Sequence, residues 1–236
     1  MTETCAAEGQ PLGAILEGGP AAAPTRVPLI GRLVHVVPLD PAAHAAELYA
    51  ASHGAGDAAL WTYLISRTFP DPVAFRAYYE AAALRDDPLL FAILDAATGK
   101  ALGHAAYMRI EPAHRVIEVG NVLFTRALQR SAAASEAMYL MARHVFEDLG
   151  YRRYEWKCDA LNAPSRRAAL RFGFSFEGIF RQHMIVKGRS RDTAWFAMLD
   201  HEWPAVRAAF EAWLAPENFS PDGQQKRRLE DIRAGL

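Results

Sequence analysis

"VIEVGNVLFTRALQRSAAASEAMYLM", residues 116–141, runs from an apolar strand-like segment straight into a helical pattern. The first nine residues are apolar on both alternating faces, the mark of a strand in the middle of a sheet. After the junction, Ala134, Met138, Met141, Val145 and Leu149 share one helical stripe, and Gly150 ends it. A second strand, "YRRYEWKCD" (151–159), follows. Strand, helix and strand in that order form a crossover, so the two strands are expected to be parallel. The junction, "QRSAAASEA" (129–137), is where such an architecture can hold an anion. A helix start offers free backbone N–H groups and the positive end of its dipole. Glycine is the usual residue there, for close approach, but here Arg130, Ser131 and three alanines stand in its place. Two readings coexist: a phosphate-holding loop, and a helix capped by Ser131 with Arg130 in solvent.

Working outward, "GRLVHVVPLD" (31–40) alternates like a strand, and Asp40 with Pro41 starts a helix to about Ala51. "DPVAFRAYYEAAALRD" (71–86) has a cap, an early proline and helical spacing. "LLFAILDAATGKALGHAAYMRI" (89–110) reads as two strands around Thr98-Gly99-Lys100. "NAPSRRAALRFG" (162–173) is a short helix capped by Asn162, and residues 174–199 are two long strands around Gly188. "HEWPAVRAAFEAWLA" (201–215) closes with a helix. The order β-α-α-β-β-β-α-β-α-β-β-α predicts an α/β (α+β) fold. Its sheet is expected to be mixed, mostly antiparallel, of about seven strands with helices on both faces. One domain over 29–215 is expected between an Ala/Gly/Pro-rich leader (1–28), flexible or loosely docked, and a polar tail (216–236).

The chain's 236 residues suffice to bury a real core, and 51% hydrophobic with 22% charged residues is ordinary globular composition. With 26 Lys+Arg against 27 Asp+Glu, the net charge of −1 gives no footprint for nucleic acid or an anionic membrane. No stretch reaches the roughly 18 apolar residues of a membrane span, and the N-terminal residues lack the basic region of a signal peptide. Two cysteines, Cys5 and Cys158, make neither a disulfide framework nor a metal motif. A cytoplasmic protein without a metal is the expectation.

The element order, the 128–141 junction and above all "CDALNAPSRRAALRFGFSFEGIFRQH" (158–183) resemble the GNAT superfamily of acyl-CoA-dependent N-acetyltransferases. Within it the chain is most similar to the Rim-type branch, which acetylates ribosomal-protein N-termini and has small-amine relatives. The likeness covers roughly residues 29–200, and its sharpest marker is Asn162-x-x-Ser165 followed by Gly173-Phe174 and Glu177-Gly178. The resemblance implies acetyl-CoA as co-substrate, its pyrophosphate over the helix start after the central strand. It carries cofactor contacts onto Leu123, Gln129, Arg130, Ser131, Ala132, Ala133, Ala134, Ser135, Asn162 and Ser165. A backbone N–H near Asn121 to Leu123 is the implied oxyanion donor. Many members use a tyrosine four residues before the Gly-Phe pair to protonate the departing thiolate; Ala169 stands there, and the branch suggests Ser165 instead.

Acyl transfer to an amine needs a neutral amine, and a lysine amine (pKa about 10.4) demands far more of a base than an α-amine (about 7.7–8.0). Glu118 lies inside the apolar central strand, so its carboxylate is either paired in a salt bridge or positioned as a general base. His183 is a second base or substrate contact, or merely a surface residue. Asp192 binds the amine or pairs with Arg189 or Arg191, and Cys158 reads as a buried small hydrophobe. The expected function is transfer of acetyl from acetyl-CoA to a peptide N-terminus or small-molecule amine by direct attack in a ternary complex. The alternative is a non-catalytic acyl-CoA-binding sensor module on the same fold. The acceptor half falls in the insert at roughly 53–85, and the protein is expected to be a monomer or homodimer.

Overall fold

The computed structural model describes residues 12–236, so Cys5 and the start of the leader lie outside the described residues. Its framework is one eight-stranded sheet. The first half holds β1 (Leu29–Ile30), β2 (Val34–Pro38), β3 (Leu89–Asp95) and β4 (Ala101–Glu111). The second holds β5 (Val116–Phe124), β6 (Arg153–Asp159), β7 (Ser175–Val186) and β8 (Arg189–Leu199). The spatial order is β1-β2-β3-β4-β5-β6-β8-β7, and β5–β6 is its one parallel pair, as the crossover requires.

The strand beyond the expected seven is β1, which pairs Leu29 with Val36 and Ile30 with His35. Two residues carry no periodicity, so β1 is fixed by its surroundings. The Glu136 carboxylate accepts the N–H groups of Leu33 (2.5 Å) and Val34 (2.9 Å) in the turn after it. A Cβ on Gly31 would lie 2.5 Å from that carboxylate, so glycine is required there.

Helices cover both faces. Against one pack α3 (Ala132–Arg143) and α5 (Trp203–Leu214), burying Phe91, Tyr107, Ile117 and Trp156. The predicted α3 stripe is buried throughout: Ala134, Met138, Met141, then Val145 in a π turn (His144–Asp148), then Leu149. Each large member contributes roughly 1.5–3 kcal/mol. Gly150, at φ 72°, turns the chain toward β6. Against the other face lie α1 (Pro41–Ser52) and α2 (Pro72–Ala83), closing over Trp61, Phe75, Leu90 and Ala106. Asp40 and Asp71 cap these helices as their sequence context predicts.

The described segments outside 29–215 make contacts with the domain. Ala21 and Ala22 donate to the carbonyls of Pro112 and Leu149, and Arg115 holds the carbonyls of Glu17 and Gly19. The stretch after 216, read as a polar tail, folds back as α6 (Leu229–Ala234), with Leu229 and Ile232 buried in the main core. Two apolar anchors in a charged segment are too few to set up a visible pattern. Arg233 on α6 donates to the carbonyls of Leu170 and Arg171, at the end of α4 (Ala163–Arg171).

Candidate active site

The parallel pairing of β5 and β6 is short. It joins Val116–Val119 to Arg153–Trp156 and stops. Beyond it β5 stays with β4 and β6 stays with β8, so the two strands part. Both strands point the same way, so α3 and α4, which follow them, present their N-termini at the open end. A slot between diverging strands, flanked by two helix starts, is an anion-accepting arrangement.

The α3 junction answers the cap question directly. Ser131 Oγ accepts from the N–H of Ala134 (3.1 Å) and donates to the carbonyl of Leu128 (2.6 Å). Gln129 donates to the carbonyl of Phe124 (3.0 Å), and the buried Ser135 hydroxyl accepts from Arg171 (2.9 Å). The polar side chains of Gln129, Ser131 and Ser135 and the N–H of Ala134 therefore hold the loop together. The N–H groups of Ala132 and Ala133, in the first turn, have no partner within the helix. Arg130 adopts φ 58°, the left-handed conformation glycine takes most easily, and its guanidinium makes no salt bridge among the described residues. Leu123 is buried and its side chain packs in the α1–α2 core, which leaves only its backbone for a ligand.

At α4, Asn162 Oδ1 accepts the N–H of Ser165 (3.2 Å), a cap of ordinary form. Ser165 Oγ accepts from the indole N–H of Trp156 (3.0 Å), which ties one lone pair and leaves the hydroxyl hydrogen to be aimed. Burial pushes the Cys158 thiol pKa up, opposed by a hydrogen bond from Ser165. Ala169, where many members have a tyrosine, is fully buried and carries no acidic group.

The Glu118 carboxylate sits in a salt bridge, one of its two expected surroundings. It is 3% exposed, and its Oε2 lies 2.5 Å from Arg109 and 3.1 Å from Lys157. Register places it beside Glu155, and Lys157 bridges the two carboxylates, 2.6 Å from Glu155. Arg153 continues the series to Glu155 (2.6 Å) and Glu177 (2.5 Å). Bonding from Arg153 holds the Glu177 pKa below the usual carboxylate range. Arg109, Glu118, Lys157, Glu155, Arg153 and Glu177 thus form a neutral chain of alternating charge across β4, β5, β6 and β7.

His183 lies on the outermost strand, away from β5. It sits on β7, its Nδ1 3.0 Å from Thr193 Oγ1, beside Phe180 and Trp195. Three strand spacings separate β7 from β5, about 14 Å. Asp192 makes no salt bridge with Arg189 or Arg191 among the described residues, and its Oδ1 accepts the backbone N–H of Gln182 (2.7 Å).

The insert closes over the slot from the α1–α2 side. Tyr63 donates to the carbonyl of Leu161 (3.2 Å) just before α4. Lys187, in the β7–β8 turn, donates to the carbonyl of Trp61 (2.5 Å). Trp61 itself is core, as aromatics in that insert more often are. Sequence reasoning missed Lys157 and Glu155, although "EWK" puts them on one strand face beside Glu118. It also missed His104, a lone polar residue in the apolar run "ALGHAAYM".

Slot, paired helix starts and covering insert define an acyltransferase-type fold. Residues 34–175 match the family described as the acetyltransferase (GNAT) domain, and the chain belongs to that family. It is similar to a GCN5-related N-acetyltransferase structure from Brucella melitensis, at 49% identity and TM-score 0.90, covering 92% of this chain and 98% of that one. Against the ribosomal-protein-serine acetyltransferase of Escherichia coli it is 29% identical over 98 residues, 42% of this chain and 54% of that protein. The chain thus spans about half the length of that curated relative. A RimL ribosomal L7/L12 α-N-protein acetyltransferase solved with coenzyme A shares the fold at 19% identity and TM-score 0.62, covering 74% of this chain and 99% of that one.

Proposed function

We propose that this chain transfers an acetyl group from acetyl-CoA to an amine by direct attack in a ternary complex. The observation that carries this is the parting of β5 and β6 after Val119 and Trp156, with a helix N-terminus on each side. Acetyl-CoA fits such a slot: its pyrophosphate meets the free N–H groups of Ala132 and Ala133 with Arg130, and its thioester lies between the strands near Ser165. Ser165 then hands its hydroxyl proton to the thiolate as the C–S bond breaks, and the proton that the attacking nitrogen loses as the amide forms restores the hydroxyl. The backbone N–H groups after Asn121 face the oxyanion.

With Glu118 and His183 committed elsewhere, the acceptor is an amine that sheds its own proton near neutral pH. A peptide N-terminus or weakly basic small-molecule amine meets that need, and a lysine side chain does not. The test is incubation with acetyl-CoA and a library of peptides and small amines, following thiol release and acetylated products by mass spectrometry. The expected result is stoichiometric thiol and N-acetylated product, with a raised melting temperature on acetyl-CoA binding. Binding without thiol release would make the chain an acyl-CoA sensor, and no binding at all would remove both readings.

A further inference from the structure

One buried polar pair plays no part in the site so far. Tyr79 on α2 and His104 on β4 are 0% and 1% exposed, with the Tyr79 hydroxyl 2.6 Å from His104 Nδ1. The other ring nitrogen, Nε2, is sealed from solvent without a hydrogen-bond partner of normal geometry among the described residues. On the neighbouring strand, Asn121 is the one polar residue between Gly120 and Leu123, the partners of Ala106 and His104.

Asn121 is where β5 changes course. The β4–β5 register steps from Ala106 opposite Gly120 to His104 opposite Leu123, so Asn121 and Val122 together face Ala105. That is a β-bulge, and Asn121 takes the left-handed φ of 48° that makes it. Asparagine tolerates this conformation better than most residues, yet it needs support to stay there. The bulge lies just past Val119, the last residue of β5 paired with β6.

We propose that Tyr79 and His104 are positioning residues that hold the Asn121 amide, and through it the bulge whose backbone N–H groups meet the thioester oxygen. This rests on the acetyl-transfer reading above. The Tyr79 hydroxyl has no other partner among the described residues; when it donates to Nδ1, the ring hydrogen sits on Nε2, where the Asn121 amide can take it. A preorganised donor contributes only if it is already aimed before the charge develops. Burial under α2 keeps this support rigid and dry.

The test compares the parent with Tyr79→Phe, His104→Leu and His104→Gln, the last keeping an amide N–H directed at Asn121. Turnover, CoA affinity by calorimetry and melting temperature are measured together. The expected result is a 10- to 100-fold fall in kcat for His104→Leu and a smaller one for Tyr79→Phe. CoA affinity should hold within about twofold, and His104→Gln should recover much of the loss. Parent-like kcat in His104→Leu, or equal losses of kcat and CoA affinity in both His104 variants, would overturn the proposal. Should the parent acetylate nothing, the functional reading falls and imidazole ¹⁵N spectra decide the relay separately. An Nε2–H tautomer whose signal moves in Asn121→Gly supports it, and an Nδ1–H tautomer or an unmoved signal refutes it.

Discussion

Arg130 occupies a backbone conformation in which a side chain is a liability, at roughly 1–2 kcal/mol for a non-glycine residue with φ near 58°. Such strain persists where the side chain has a use. Arg130→Gly relieves it and Arg130→Ala does not. In urea titrations the glycine variant should be more stable than the alanine variant by up to about 1 kcal/mol. Both should bind CoA about 1–2 kcal/mol more weakly by calorimetry, since both lose a charge-assisted contact. Parent-like affinity in the pair would return Arg130 to solvent. The sequence made Arg130 legible as a departure, a bulky residue where glycine is usual, but φ cannot be read from a residue name. Ser131 and Asn162 were legible as caps because capping depends on a few neighbours. Glu118 was legible only as a buried acid that needed an explanation. Its partners, Arg109 and Lys157, come from two other strands and are chosen by register, which no local pattern encodes.

At the scale of elements, the alternating charges stitch four strands where β5 and β6 still run together. Replacing Glu118 by Gln leaves Arg109 without a carboxylate and Lys157 with Glu155 alone, a loss of about 2–4 kcal/mol. Adding Lys157→Met should recover part of that loss, because the stranded buried charge goes with it. Denaturant titrations of the two single variants and the double variant measure this, and additive losses would dissolve the idea of a coupled chain. The pH–rate profile of folded Glu118→Gln should overlay the parent's, as expected of a structural acid. Most elements were legible because their periods are long: the α3 stripe and the β5 and β6 runs fix the crossover. The two that escaped, β1 and α6, are two and six residues long and are held by tertiary contacts. Elements that short carry too little pattern to be recognised without their neighbours.

At the scale of the whole molecule, His104 couples folding to pH. Burial lowers its pKa from 6.5 to about 4. Between those values the unfolded chain binds more protons than the folded one, so stability is full above pH 6.5 and falls as pH drops toward 4. The loss approaches about 3 kcal/mol for a shift of that size. Comparing urea midpoints at pH 7 and 4.5, the parent should lose more than His104→Leu; parallel losses would show that other groups govern acid sensitivity. Acid sensitivity of this kind sits under α2, beside Tyr79. The chain of alternating charge has a mechanical consequence of its own. It clamps β5 to β6 immediately short of their divergence, so the two behave like shear blades with a riveted pivot. Any widening to admit a ligand must then swing the diverging ends, 120–124 and 158–159, while 116–119, 153–156 and the bridging Lys157 stay fixed. Amide exchange should follow that division, slow at the rivet and fast along the blades, and a ligand wedged between them should slow the blades alone.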